Sequence, residues 1–127
     1  MEKIVRGYYK SGKIKHEEYY FNDQFHRDNG PAEILYFENG KIQIEAHHLN
    51  GKCHRENDAA IITYYESGQV KVKFYMLNAK KHRSDGPAII GYDEEGNIND
   101  ECYYEYGKEM DVLKEIVIRG LEMNPLV

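Results

Sequence analysis

The stretch AEILYFENGKIQIEAHHLNGKCHRENDA, from Ala32 to Ala59, carries the architecture. In its second run Ile42, Ile44, Ala46 and His48 fall on one face, and Lys41, Gln43, Glu45 and His47 on the other. Apolar residues at period two mark half-buried strands, not helices. Ala32, Ile34 and Tyr36 alternate in the same way ahead of it. Between the runs lies Glu38-Asn39-Gly40. Glycine accepts the positive φ that a hairpin turn requires, so the two runs form a β-hairpin. A longer return connection runs from Asn50 through His54-Arg55; its counterparts end in Gly-Pro, which stops one strand and starts the next.

The same unit recurs outward in both directions at a step of 28 residues. His26-Arg27, His54-Arg55 and His82-Arg83 keep that step. So do Gly12, Gly40, Gly68 and Gly96, and Tyr8, Tyr36, Tyr64 and Tyr92. A fixed period of this kind is the signature of a repeat architecture. The expected fold is all-β: an antiparallel meander of about eight strands whose stacked hairpins make one twisted, curled sheet. Residues 1–127 read as a single domain, with hairpin repeats over 3–107. The expected inner face carries the columns Ile14/Ile42/Val70/Ile98, His16/Ile44/Val72/Asp100 and Glu18/Ala46/Phe74/Cys102. Opposite them stands a column of Tyr19, His47, Tyr75 and Tyr103, interleaved with charged residues. The tail changes period: Val112, Leu113, Ile116, Val117 and Gly120 make a helical stripe, which predicts a capping helix over 108–123.

Composition narrows the function. Seventeen Lys and Arg stand against 22 Asp and Glu, a formal net charge of −5. Nucleic acid and anionic lipid both attract basic surfaces, so neither is an expected partner. No run approaches the ~20 apolar residues of a membrane helix, and Glu2 and Lys3 come directly after Met1 where a secretory h-region would begin. Cys53 and Cys102, in unrelated contexts, read as free thiols. The expected location is the cytoplasm.

Chemistry-bearing residues mostly belong to columns. His26, His54 and His82 lie two strands apart, roughly 9–10 Å, which is too far to share a metal ion bound at about 2 Å. A structural role is expected for them: hydrogen bonding within their own connections and stacking on neighbouring rings. Arg27, Arg55 and Arg83 each have an acid close by, in Asp28, Glu56 and Asp85. These read as loop ion pairs or as guanidinium forks for an acidic partner. Asp58, where the other units have Gly30 and Gly86, loses glycine's positive-φ freedom. No Ser–His–acid order, phosphate loop or HExxH is present, so no catalytic residue, metal or cofactor is expected.

Tyr36 through Ile42, with Asn50-Gly51-Lys52 and His54-Arg55 after it, resembles MORN-type repeats, including bacterial antitoxin-like variants. Similar extended repeats occur in proteins of large viruses and phages. The His-Arg-x-x-Gly-Pro-Ala segment and the 28-residue step depart from the usual, shorter unit. The resemblance implies a hairpin array used for binding or scaffolding and supplies no catalytic residues. The expected function is a non-catalytic protein-binding module that sequesters or inhibits a target, with viral or phage inhibition among the implied roles. The alternative is a structural subunit that self-associates through its sheet into homo-oligomers. The expected partner-binding residues are Tyr75 and Tyr103, supported by Tyr19 and His47, with Arg55 and Arg83 at the rim.

Overall fold

The computed structural model describes residues 1–110. They form β1 (Glu2–Tyr8), β2 (Ile14–Phe21), β3 (Gln24–Phe25), β4 (Glu33–Tyr36), β5 (Ile42–Ala46), β6 (His48–Leu49) and β7 (Lys52–Cys53). Next along the chain come β8 (Ile61–Tyr64), β9 (Val70–Phe74), β10 (Met76–Leu77), β11 (Lys80–Lys81), β12 (Ile89–Tyr92), β13 (Ile98–Glu105) and β14 (Lys108–Met110). The main sheet has ten strands in the sequential order β1-β2-β4-β5-β8-β9-β12-β13-β14, with β3 paired to β2. All pairings are antiparallel. The expected meander is therefore present; strand order and register say nothing of curling. Lys108–Met110 are strand, not the start of the expected helix, and the remainder of that helix lies outside the described residues.

Two kinds of turn alternate along the chain. In the first, Gly12, Gly40, Gly68 and Gly96 all take φ near +90°, at 93, 90, 99 and 91°. In the second, two adjacent residues both have positive φ: Asn22-Asp23, Asn50-Gly51, Asn78-Ala79 and Tyr106-Gly107. That is the signature of a tight two-residue hairpin loop. Each return connection thus holds its own short hairpin, β2–β3, β6–β7, β10–β11 or β13–β14, which explains why the strands outnumber the expected eight.

The register places the core differently from the sequence expectation. Pairing continues in one row through Arg6, Glu17, Ile34, Glu45, Ile62, Lys73, Ile90 and Glu101. Ile34, Ile62 and Ile90 are buried, as are Ala32, Ala60 and Ala88 in the adjoining row. Backbone bonds align that row with the aromatic column: Tyr19 N–H donates to the Ala32 carbonyl at 2.7 Å and Tyr75 N–H to Ala88 at 2.7 Å. The Tyr face is therefore the more deeply covered one. The expected inner columns lie on the opposite face, where Ala46 is buried, Ile14, Ile42, Ile44, Val70, Val72 and Phe74 are half-buried and Ile98 is exposed.

The reason is a one-residue irregularity. Each hairpin shifts register before its last tyrosine, as between Leu35 and Tyr36 or Thr63 and Tyr64. Without that shift Ile34 would oppose Ile44, and all the apolar residues would share one face. With it, Ile34 opposes Glu45. A slip of one residue transfers a whole strand's pattern to the other face.

Candidate binding surface

The connections fold back over the Tyr face and roof it. Backbone N–H of His26, His54 and His82 donates to the carbonyls of Tyr19, His47 and Tyr75 at 3.1, 3.1 and 3.0 Å. That places the adjacent arginine above the column. The Arg27 guanidinium lies 3.9 Å from the Tyr19 ring centre, and Arg83 lies 4.1 Å from that of Tyr75. These are cation–π stacks on partly dehydrated faces. The same side chains clamp the exit of each connection: Arg27, Arg55 and Arg83 donate through Nη1 to the carbonyls of Pro31, Ala59 and Pro87 at 3.2, 3.0 and 3.2 Å.

Each connection is also stitched to the next repeat. Asn50, Asn78 and Tyr106 donate their backbone N–H to Nδ1 of His26, His54 and His82 at 3.0, 2.9 and 3.0 Å. Gly51, Ala79 and Gly107 donate to the carbonyls of Phe25, Cys53 and Lys81 at 2.9, 2.7 and 2.8 Å. Arg27, Arg55 and Arg83 donate their backbone N–H to His48, Met76 and Tyr104. His26 and His54 bond within their own connections, as expected, and all three histidines bond in addition across to the next repeat. An Nδ1 that accepts fixes the neutral ring proton on Nε2. Nε2 meets an acid in two repeats: Asp28 at 3.0 Å from His26, and Glu56 at 3.5 Å from His54. Those acids thus serve the histidines, whereas Arg83 pairs with Asp85 at 3.1 Å and Arg55 approaches Asp58 at 3.7 Å.

Asp58 replaces glycines constrained by space and, at Gly30, also by a φ of 159°. A Cβ on Gly30 or Gly86 would sit 3.1 or 3.0 Å from Cζ of the stacked Arg27 or Arg83. In the middle repeat Asp58 accepts from Ala59 N–H at 2.7 Å, Asn57 takes the positive φ of 69°, and the ring beneath is His47. Burial, and then the Arg55 charge, push the His47 imidazole below its usual range.

Two grooves run between successive roofing connections, and a third lies between β1 and the first of them. The groove beside β1 holds Ile4, Tyr19 and Arg27, the next Arg27, His47 and Arg55, the last Arg55, Tyr75 and Arg83. The structure thus brings Tyr19, His47, Tyr75, Arg55 and Arg83 together along these grooves, with Arg27 stacked on Tyr19 and Arg83 on Tyr75. Tyr103 lies on the same face opposite Met110 in the last hairpin.

Sequence reasoning missed a second polar row. Glu17, buried at 8% exposure, accepts from Arg6 Nε at 2.7 Å and from the Tyr36 hydroxyl at 2.7 Å. Tyr64 donates likewise to Glu45. The Arg6 bond, then the Tyr36 bond, hold the Glu17 carboxyl below its ordinary range, while burial and Glu17 push Tyr36 up to about 12. The signal was the constant 19-residue step between Glu and Tyr, visible only once the strands are paired.

Residues 1–22, 32–50 and 58–78 match the family model of the MORN repeat variant. This is a MORN-type repeat protein. No curated protein and no solved structure matches the chain. The matched segments of the MORN repeat omit residues 23–31 and 51–57, which hold His26-Arg27 and His54-Arg55. The first two connections of the roof thus lie outside the matched segments, as do residues 79–127. Among the described residues no helix is long and apolar enough to cross a membrane, and no group of three or more His, Cys, Asp or Glu is placed to hold a metal.

Proposed function

We propose that this chain is a non-catalytic protein-binding module that grips its partner in the grooves between roofing connections. One observation carries the reading: an arginine stacks on a tyrosine in two connections along one flank, Arg27 on Tyr19 and Arg83 on Tyr75, and both arginines lie outside the matched family segments. Equivalent grooves lie two strands apart, roughly 9–10 Å, which an extended segment of partner covers with about three residues. Arginine offers such a segment a rigid, weakly hydrated fork, and tyrosine adds apolar area with few torsions to freeze. The acids at the groove edges select a partner of mixed charge over a polyanion. Holding a target this way gives the module a means to sequester or inhibit it in the cytoplasm without chemistry of its own.

The test is affinity capture from cell extract with mass spectrometry, comparing the native chain with an Arg55→Ala, Arg83→Ala variant whose circular dichroism is native. A protein retained by the native chain should lose about thirtyfold in affinity, the cost of truncating central anchors. Equal retention by both forms would place binding elsewhere.

A further inference from the structure

We propose that copies of this chain associate end to end, the open edge of β13 in one copy pairing antiparallel with β1 of the next. The two edges are the complementary halves of a junction that the molecule already makes three times. Inside the array each long strand pairs with the next short one: β2 with β4, β5 with β8, β9 with β12. The register is constant, with Glu17 opposite Ile34, Glu45 opposite Ile62 and Lys73 opposite Ile90. β1 is a strand of the short kind: Arg6 opposes Glu17 just as Ile34 opposes Glu45. β13 is of the long kind. Among the described residues β1 pairs only with β2, and Ile98–Cys102 of β13 pair only with β12. Unpaired edges of this length are templates for another strand.

Carrying the internal register across the gap sets Glu101 opposite Arg6, Asp100 opposite Gly7 and Cys102 opposite Val5. The charges then match. Glu101 is exposed, and the Arg6 side chain keeps 43% exposure while bonded to Glu17, so its guanidinium lies between two carboxylates. The His16 imidazole occupies the space over Gly7, where a Cβ would fall 2.2 Å from Nε2, and so meets Asp100. The apolar residues match too. Ile4, Tyr8 and Ile98 are 51, 57 and 54% exposed, whereas their internal counterparts Ala32, Tyr36 and Ile42 are buried or half-buried. The residues laid bare are those a neighbouring copy covers. Such a head-to-tail contact is heterologous and open, so it propagates instead of stopping at a dimer. It covers Ile4 at the groove beside β1 but leaves the two grooves flanking Arg55 free, so either reading can fail alone.

Sedimentation velocity of the full chain over a range of concentrations tests it. The native chain should grow in mean mass with concentration. Glu101→Arg, at an exposed site, should weaken association at least about tenfold by setting like charges opposite each other. An equimolar mixture of Glu101→Arg with Arg6→Glu, or the double variant, should restore it. A native chain that stays monomeric overturns the proposal. If its Ile98–Cys102 amides are nevertheless protected from exchange, the edge belongs to the chain's own residues 111–127. Undiminished assembly of Glu101→Arg also overturns it, whatever the folding of Arg6→Glu.

Discussion

Ile62→Ala and Ile44→Ala remove the same atoms from opposite faces of the sheet at its centre. Ile62 keeps only 9% exposure, beneath the roof and flanked by Glu45 and Lys73, whereas Ile44 is half-buried on the open face. Truncating a buried isoleucine costs about 3 kcal/mol, from lost transfer energy and the cavity left behind. Where the side chain is already partly wet the loss is smaller, roughly 1.5 kcal/mol. The two sites lie on paired neighbouring strands of adjacent repeats, so any loss of two-state behaviour affects both alike. Urea titration monitored by far-UV circular dichroism is the assay, because the chain has 12 tyrosines and no tryptophan. Ile62→Ala should lower the midpoint about twice as far as Ile44→Ala at an unchanged slope. Equal shifts, or the reverse order, would refute the face assignment and with it the roofed Tyr column.

The same geometry makes three other outcomes testable. Ala79 holds φ at 67° in a tight turn where the preceding repeat has Gly51, so Ala79→Gly should stabilise by about 0.5–1 kcal/mol in the same titration. Acid should act in two stages. Burial holds His47 and His48 below their usual range, so the unfolded chain takes up protons first and stability falls as pH drops below about 6.5. Glu17 is held low, chiefly by Arg6, so its contribution is full above about pH 4.5 and is lost as pH falls through its folded value; Glu17→Gln should remove this second stage from a plot of urea midpoint against pH. Burial and Glu33 push the Cys53 thiol up to about 11, so it should alkylate far more slowly at pH 8 than a free cysteine, as mass spectrometry of the labelled peptide would record.

The repeat, the strands and the glycine turns are legible because each is written in local spacing: period two along Ile42–Ala46, and positive φ at Gly40. The MORN resemblance rests on the same residues. What stays hidden depends on pairing between strands. Alternation along Ile34–Tyr36 says which residues share a face of that strand, but not which residues lie across from them. The register shift at Tyr36 sends Ile34 to Glu45 and reverses the apparent inside and outside. Tyr19 and Tyr75 look free in the sequence because nothing in Arg27 or Arg83 announces that its side chain folds eight residues back over a ring. The Glu17–Arg6 and Glu17–Tyr36 bonds span three strands and have no local pattern.

The grooves exist only if the connections are docked on the Tyr face and stitched to the next repeat. NMR of the histidine rings tests this most directly. A long-range proton–nitrogen correlation at pH 8 should show His26, His54 and His82 each protonated at Nε2 and bare at Nδ1, with the backbone amides of Asn50, Asn78 and Tyr106 protected from exchange. Tautomers mixed as in free histidine, with those amides exchanging as in an open turn, would contradict the roof and the binding surface built on it.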